Sequence, residues 1–323
     1  MKVAVPDVTK QKLMQSNNKE KKMLKGIYTA MVTPFKEDGS MDREKIEMIV
    51  DAMIADGISG VVIGGSTGEF FLMSLEERKA QVKAICEIVN KRVTVIANAG
   101  CLNTADTVDM AKYCTEAGAD ILLLVPSWYE KLTNDEIVAH YKAVGDAVDT
   151  PIMLYNIPGS SSNDITPEVA AQLAEVCNAT CMKDSTGDVH RQYQITWATK
   201  GKVQPVCGAD SILINALAYG TDATVLGVTN AISKECVALY KLVKEKKDLD
   251  SARLLWDKLL PVLEFAENNE YIAVTKRMCK MRGRDQGDPR QPVLPLSEEK
   301  TAILAELMAG LDEVKDVVEA AFI

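Results

Sequence analysis

The chain has 323 residues, 47% of them hydrophobic and 26% charged, and a formal net charge of −9 at pH 7. That length can bury a substantial core as one large α/β barrel or as two ordinary domains, and the composition is that of a globular protein. No basic stripe offsets the acidity, which argues against nucleic acid as a partner, and no apolar run reaches the ~18 residues of a membrane span.

At the N-terminus, residues 1–25 are rich in lysine and lack the apolar core of a secretory signal. They are expected to form a poorly ordered arm on a cytoplasmic protein. From Ile27 onward, apolar strand-like runs alternate with helical periodicity. The predicted strands are Ile27–Thr33, Gly60–Ile63, Val93–Ala97, Ile121–Val125, Ile152–Tyr155, Thr180–Lys183, Val203–Cys207 and Ala223–Leu226. Between and after them the pattern predicts helices at 42–56, 75–90, 104–117, 134–147, 167–177, 189–199, 211–218 and 233–246. The first places Ile46, Ile49, Val50, Met53 and Ile54 on one face. Helix-start signatures stand at Ser74 with Glu76, at Thr166-Pro167 with Glu168, and at Ser233 with Cys236 in the box position.

Strand and helix alternating eight times over residues 26–248 is the pattern of an α/β fold of the (β/α)8 TIM-barrel type. Beyond residue 249 the pattern is helical only, at 250–267, 270–282 and 297–311, interrupted by a Gly- and Pro-rich linker at 283–295. Residues 249–323 are therefore expected to form a C-terminal helical appendage concerned with packing and assembly.

The chemistry-bearing residues cluster at predicted strand ends. Lys183 closes the sixth strand, in Thr180-Cys181-Met182-Lys183-Asp184-Ser185-Thr186-Gly187-Asp188. At the carboxyl mouth of a parallel barrel, a lysine among apolar neighbours can lose its proton and attack a carbonyl as a Schiff-base nucleophile. The bland alternative is a strand-end lysine reaching for solvent. Gly64-Gly65-Ser66-Thr67-Gly68-Glu69 follows the second strand, where flexible glycines and the Ser66 and Thr67 hydroxyls can cradle a carboxylate or phosphate. It is neither a P-loop nor a dinucleotide fingerprint, and a tight turn alone would also explain it. Tyr155, in Leu154-Tyr155-Asn156-Ile157-Pro158-Gly159, can aim its phenol into the mouth beside Lys183 and shuttle protons, or it can be a core tyrosine.

Other chemistries are poorly supplied. Two histidines, His140 and His190, argue against a histidine triad or a multi-histidine metal site. The eight cysteines (Cys86, Cys101, Cys114, Cys177, Cys181, Cys207, Cys236, Cys279) form no CxxC, so thiols in a reducing cytosol are expected, with no metal.

Taken together, the strand-two, strand-five and strand-six motifs resemble the dihydrodipicolinate synthase / N-acetylneuraminate lyase family. The resemblance runs from about Gly26 to Leu311 and includes Ile27-Tyr28-Thr29-Ala30-Met31-Val32-Thr33-Pro34-Phe35 and Pro292-Val293-Leu294-Pro295-Leu296-Ser297. It implies a class I aldolase or lyase acting on pyruvate or a related 2-oxo acid, with no cofactor beyond a lysine–substrate imine. By the same resemblance Lys183 matches the imine-forming lysine, Tyr155 the proton-shuttling phenol, and Ser66 with Thr67 the pair holding the pyruvate carboxylate. Tyr129, in Pro126-Ser127-Trp128-Tyr129, matches an aromatic offered to a neighbouring subunit's site, within an expected homotetramer built as a dimer of dimers. Gly208 and Asp210 match positions where sugar-acid lyases contact substrate hydroxyls; Asp210 could equally cap the helix predicted at Ser211.

The acceptor side departs from the pattern. Dihydrodipicolinate synthases usually carry an arginine at the position of Ser160, to hold the carboxylate of aspartate semialdehyde, and a hydroxyl cannot replace a bidentate guanidinium. The glycine common at the position of Ser162 is also absent. The polar run suits a hydroxylated acceptor, so the leading expectation is an aldolase of the neuraminate lyase or 2-keto-3-deoxy-sugar-acid type. The alternatives are dihydrodipicolinate synthase itself, a dehydratase or deaminase using the same imine, and, from another class, a non-catalytic binding protein on the same barrel.

Overall fold

A computed structural model of the protein describes residues 23–323. Most of the arm expected over residues 1–25 lies outside the described residues. At its described end Leu24 is buried, its N–H donating to the Gln204 side-chain carbonyl at 2.8 Å and its C=O accepting from the same amide at 2.7 Å.

Eight parallel strands close into a barrel in sequence order, with the last paired to the first. They are β1 (Gly26–Ala30), β2 (Gly60–Ile63), β3 (Thr94–Asn98), β4 (Ile121–Leu124), β5 (Ile152–Asn156), β6 (Ala179–Asp184), β7 (Gln204–Cys207) and β8 (Ala223–Leu226). The helices of the barrel unit are α1 (Arg43–Ala55), α2 (Leu75–Val89), α3 (Thr104–Glu116), α4 (Asn134–Gly145), the single turn α5 (Pro158–Ser161), α6 (Pro167–Val176), α7 (Val189–Ala198), α8 (Leu213–Tyr219) and α9 (Thr229–Tyr240). After them come α10 (Leu249–Glu267), α11 (Tyr271–Met281), α12 (Glu298–Gly310) and α13 (Lys315–Ala320). This is a TIM barrel with C-terminal helices, as the alternation predicts. Among the described residues no helix is long and apolar enough to cross a membrane.

Side-chain alternation explains both the near-continuous apolar strands and the placement of the polar ones. Along each strand successive side chains point to opposite faces, and a parallel barrel buries both. Val62, Ile96, Leu123, Met153, Cys181 and Val225 fill the barrel interior. Their neighbours Val61, Ile63, Leu122, Leu124, Ile152, Leu154 and Met182 face the surrounding helices. Each such side chain, fully buried, contributes about 1.5–3 kcal/mol relative to exposure. Tyr155 lies two positions beyond Met153, and Lys183 two beyond Cys181. Both therefore point inward, one layer past the apolar filling, at the carboxyl mouth.

Several local expectations are revised. β1 ends at Ala30, and Thr33 is used instead to hold a loop, its hydroxyl donating to the Gly68 carbonyl at 2.7 Å. The capping box at Ser74 closes on Glu77 and not Glu76, because the reciprocal bond needs the third helical residue. The helix predicted from Ser233 is present, joined to a preceding turn across a kink at Ile232, but the Ser233 side chain does not cap it. α9 begins at Thr229 with a non-helical Ile232 inside it, and the Ser233 hydroxyl is engaged by Asp56 and Arg284.

Candidate active site

β5 and β6 are paired so that Tyr155 stands directly opposite Lys183. Lys183 is buried, and its Nζ lies 4.3 Å from the centroid of the Tyr155 ring, within cation–π range. Tyr155 Oη in turn stands 3.5 Å from Ser66 Oγ, either oxygen being able to donate. Amine, phenol and hydroxyl thus form a chain across the mouth from β6 to the loop after β2.

That loop is a 3-10 turn, Ser66–Gly68, burying Thr67. Gly64 has φ +65°, a left-handed conformation that explains glycine there, and its carbonyl accepts from the Asn98 amide at 2.6 Å. Gly208, after β7, serves close approach: an added Cβ would sit 2.4 Å from Ser185 Oγ and 2.8 and 2.9 Å from Lys183 Cγ and Cε. The lysine stem therefore lies against the Gly208 backbone.

Behind the lysine, Asp184 faces outward into a buried polar network. Its oxygens accept from Asn156 Nδ2 at 2.9 Å and the Thr186 hydroxyl at 2.6 Å, with Arg191 Nε at 3.5 Å. Burial raises the Asp184 carboxyl above its ordinary value despite these partners. This network ties the ends of β5 and β6 together.

Asp210 is buried and does not cap α8, which begins at Leu213 without a side-chain cap. Its Oδ2 accepts from the Tyr271 hydroxyl at 2.5 Å, and Tyr271 Oη accepts from the Gly227 N–H at 3.0 Å. Glu267 Oε1 accepts from the Asp210 N–H at 2.5 Å. Asp210 Oδ1 is buried without a hydrogen-bond partner. Burial, followed by the nearby Glu267 carboxylate, pushes Asp210 up to about 7, against the opposing pull of Tyr271 and Lys183.

These groups line a cavity of about 640 Å³, together with Ser160, Thr186, Gly227 and Glu270. Ser160 is exposed on α5, and Ser162, next to that turn, takes φ +58°. The left-handed conformation accounts for the glycine common there, and serine adopts it at some cost in strain. Tyr129 is not brought to this cavity: it is 88% exposed in the loop after β4, while Trp128 packs edge-on against Phe70 at 5.2 Å. A larger cavity of about 770 Å³ opens between Tyr28, Thr94, Cys181 and Gln204 at the amino end of the barrel, opposite the lysine. Barrel chemistry collects at the carboxyl end, so the smaller cavity is the candidate site.

Sequence reasoning missed Tyr271 and Glu267, because the appendage was read as packing only. Each meets Asp210 from about 60 residues away along the chain, and no local motif announces such a contact.

An amine, a phenol and two hydroxyls gathered at the carboxyl mouth of an eightfold barrel have the layout of a barrel enzyme. Comparison with known proteins narrows the class. The model of the dihydrodipicolinate synthetase family matches residues 23–310. A 4-hydroxy-tetrahydrodipicolinate synthase from an Exiguobacterium species is 33% identical over 295 residues, covering 91% of this chain and 100% of that protein. The enzyme of that name from Geobacter sulfurreducens is 34% identical over 288 residues, covering 88% and 98%. Among solved structures, the 4-hydroxy-tetrahydrodipicolinate synthase of Methylacidiphilum fumariolicum SolV superposes with a TM-score of 0.88 at 29% identity, covering 93% and 99%. The dihydrodipicolinate synthase of Acinetobacter baumannii, solved with pyruvate, gives 0.84 at 30% identity, covering 90% and 99%. The chain belongs to the dihydrodipicolinate synthetase family, and it is an enzyme of the lyase class.

Proposed function

We propose that the protein is a class I pyruvate aldolase in which Lys183 forms an imine with pyruvate. The 4.3 Å approach of a buried amine to the Tyr155 ring, at the mouth of the barrel, carries this reading, and a similar protein was solved with pyruvate. Ser66 and Thr67 hold the pyruvate carboxylate. The Lys183 amine attacks C2, and the carbinolamine hydroxyl departs as water with the Tyr155 phenol proton. The iminium draws electrons from C3, the Tyr155 phenolate takes the C3 proton, and the resulting enamine attacks the acceptor's aldehyde carbon. The alkoxide formed takes a proton from Tyr155, and water hydrolyses the imine to free Lys183. The iminium is the electron sink, so the sequence of steps is complete with the chain's own residues.

For the acceptor, the relatives' names support aspartate semialdehyde, which makes the chain a 4-hydroxy-tetrahydrodipicolinate synthase. They favour it over the neuraminate-lyase-like expectation. One observation keeps the hydroxylated acceptor as a second reading: Ser160 replaces the usual arginine, and the other charged lining residues besides Lys183 are the acids Asp210, Glu267 and Glu270. Tyr129, 88% exposed, fits a side chain offered to a neighbouring subunit of a homotetramer.

The test is incubation with pyruvate and borohydride, followed by peptide mass spectrometry and an aldehyde panel. A reduced adduct on Lys183, lost in Lys183→Met, supports the imine; a folded protein with Lys183 unmodified sinks it. Turnover with aspartate semialdehyde over glyceraldehyde and N-acetylmannosamine supports the synthase, and the reverse order supports the second reading. Trapping only with longer 2-oxo acids would point to a dehydratase or deaminase.

A further inference from the structure

α11 begins at the cavity with Tyr271 and packs against the Ser66–Gly68 turn. Five residues along, it carries Lys276, whose side chain is 2% exposed. The Lys276 amine stands 2.7 Å from Glu69 Oε1, itself 0% exposed, donates to the Asp288 carbonyl at 3.0 Å and lies 5.0 Å from the Phe35 ring centroid. Glu69 directly follows Ser66-Thr67-Gly68 and takes φ +62°, unusual for a side-chain-bearing residue. Its Oε2 accepts the Arg290 N–H at 2.7 Å, and the Arg290 guanidinium covers the other part of Phe35, 4.0 Å from the centroid. The linker after α11 and α11 itself thus both grip the residue that ends the turn.

Stability alone is a weak account of this pair. Desolvating two charges consumes most of their mutual attraction, and apolar residues of similar volume often serve as well or better. What a buried ion pair supplies is a fixed position, and what stands next to this one is the hydroxyl turn. The turn's other bonds are few: Gly68 N–H to the Gly65 carbonyl at 3.0 Å, Glu69 N–H to the Ser66 carbonyl at 3.1 Å, the Thr33 hydroxyl to the Gly68 carbonyl, and the long 3.5 Å contact of Ser66 Oγ with Tyr155 Oη.

We propose that Glu69 and Lys276 are positioning residues for the substrate carboxylate: through them the C-terminal appendage holds Ser66 and Thr67 in place. This rests on the reading of Ser66 and Thr67 as the carboxylate cradle. A carboxylate that has lost its fixed donors binds less tightly, while Lys183 and Tyr155, held opposite each other by the β5–β6 pairing and not by the turn, keep their mutual geometry. The signature is a KM effect on pyruvate with kcat spared.

The experiment compares wild type with Lys276→Arg and with Glu69→Gln/Lys276→Met, recording Tm, kcat, KM for pyruvate and the rate of borohydride trapping at Lys183. The double variant leaves no orphaned charge, and Lys276→Arg keeps the carboxylate paired with a differently shaped cation, so one informative protein remains if the other misfolds. The expected result is a pyruvate KM raised roughly tenfold, with kcat nearly unchanged and no correlation with Tm. A wild-type pyruvate KM in the folded variants, or losses that simply track Tm, overturns the proposal. Thr67→Val separates the two readings. If it raises the pyruvate KM and the pair variants do not, only the positioning role fails; if it too has no effect, the cradle itself is wrong.

Discussion

Replacing Asp210 by asparagine tests the electrostatics of the mouth directly. The Asp210 carboxyl is raised from 3.8 to about 7, first by burial and then by Glu267. A carboxyl whose folded value lies above its unfolded one stabilises the fold while it is protonated. That stability is fully present below 3.8 and is lost as pH rises through about 7. At about 1.4 kcal/mol per tenfold change in proton activity, the loss between about pH 5 and about pH 8.5 is about 3 kcal/mol. At ~2 °C per kcal/mol for a chain of this size, that is a fall of roughly 6 °C in Tm. Asparagine mimics the protonated acid: its carbonyl can accept from Tyr271, and its amide occupies the place of the unpartnered Oδ1. Asp210→Asn should therefore match wild type near pH 5 and exceed its Tm near pH 8.5. Glu267→Gln removes a raising influence and should shift the wild-type decline to lower pH, an effect opposite to that of Tyr271→Phe, which removes a lowering one. Parallel Tm-against-pH curves for wild type and Asp210→Asn would refute this account.

Gly208→Ala places a methyl 2.4 Å from Ser185 Oγ and under 3 Å from two Lys183 carbons. Overpacking of this kind costs about 1–3 kcal/mol, and a misplaced amine about 10²-fold in imine formation; single-turnover borohydride trapping in a protein with native circular dichroism checks it, and a wild-type trapping rate would remove the steric reading of Gly208. Tyr155→Phe keeps the ring beside Lys183 but loses the oxygen facing Ser66. Steady-state kcat should fall about 10²–10⁴-fold while slow trapping at Lys183 persists, and an unchanged kcat would mean that protons travel by another route.

What was legible in the sequence followed from local periodicity. Strands buried on both faces read as short apolar runs, and the two-residue alternation that puts Met153 and Cys181 inside the barrel also puts Tyr155 and Lys183 at its mouth. The capping roles that failed, at Ser233 and at Asp210, failed because those polar side chains have distant partners: Arg284 for one and Tyr271 for the other. A capping residue and a tertiary ligand look alike in sequence, since both are short polar side chains before an apolar run.

The same limit bears on the acceptor. The strand-end motifs report the half of the site that lies within a few residues of a strand terminus, the half that holds Lys183, Tyr155, Ser66 and Thr67. The other half is walled by Glu267, Glu270 and Tyr271 from beyond the barrel, facing Asp210. Ser160, judged alone, points away from an acceptor with a carboxylate, but it is one exposed residue in a cavity that also takes Glu267 from the end of α10 and Glu270 from the start of α11, neither announced by a motif. That wall is built at the junction between α10, α11 and the loops after β5 and β7. Ser160→Arg adds a cation to a cavity whose other charges besides Lys183 are Asp210, Glu267 and Glu270, so it should gain little affinity for a carboxylate-bearing aldehyde, read as the KM for aspartate semialdehyde.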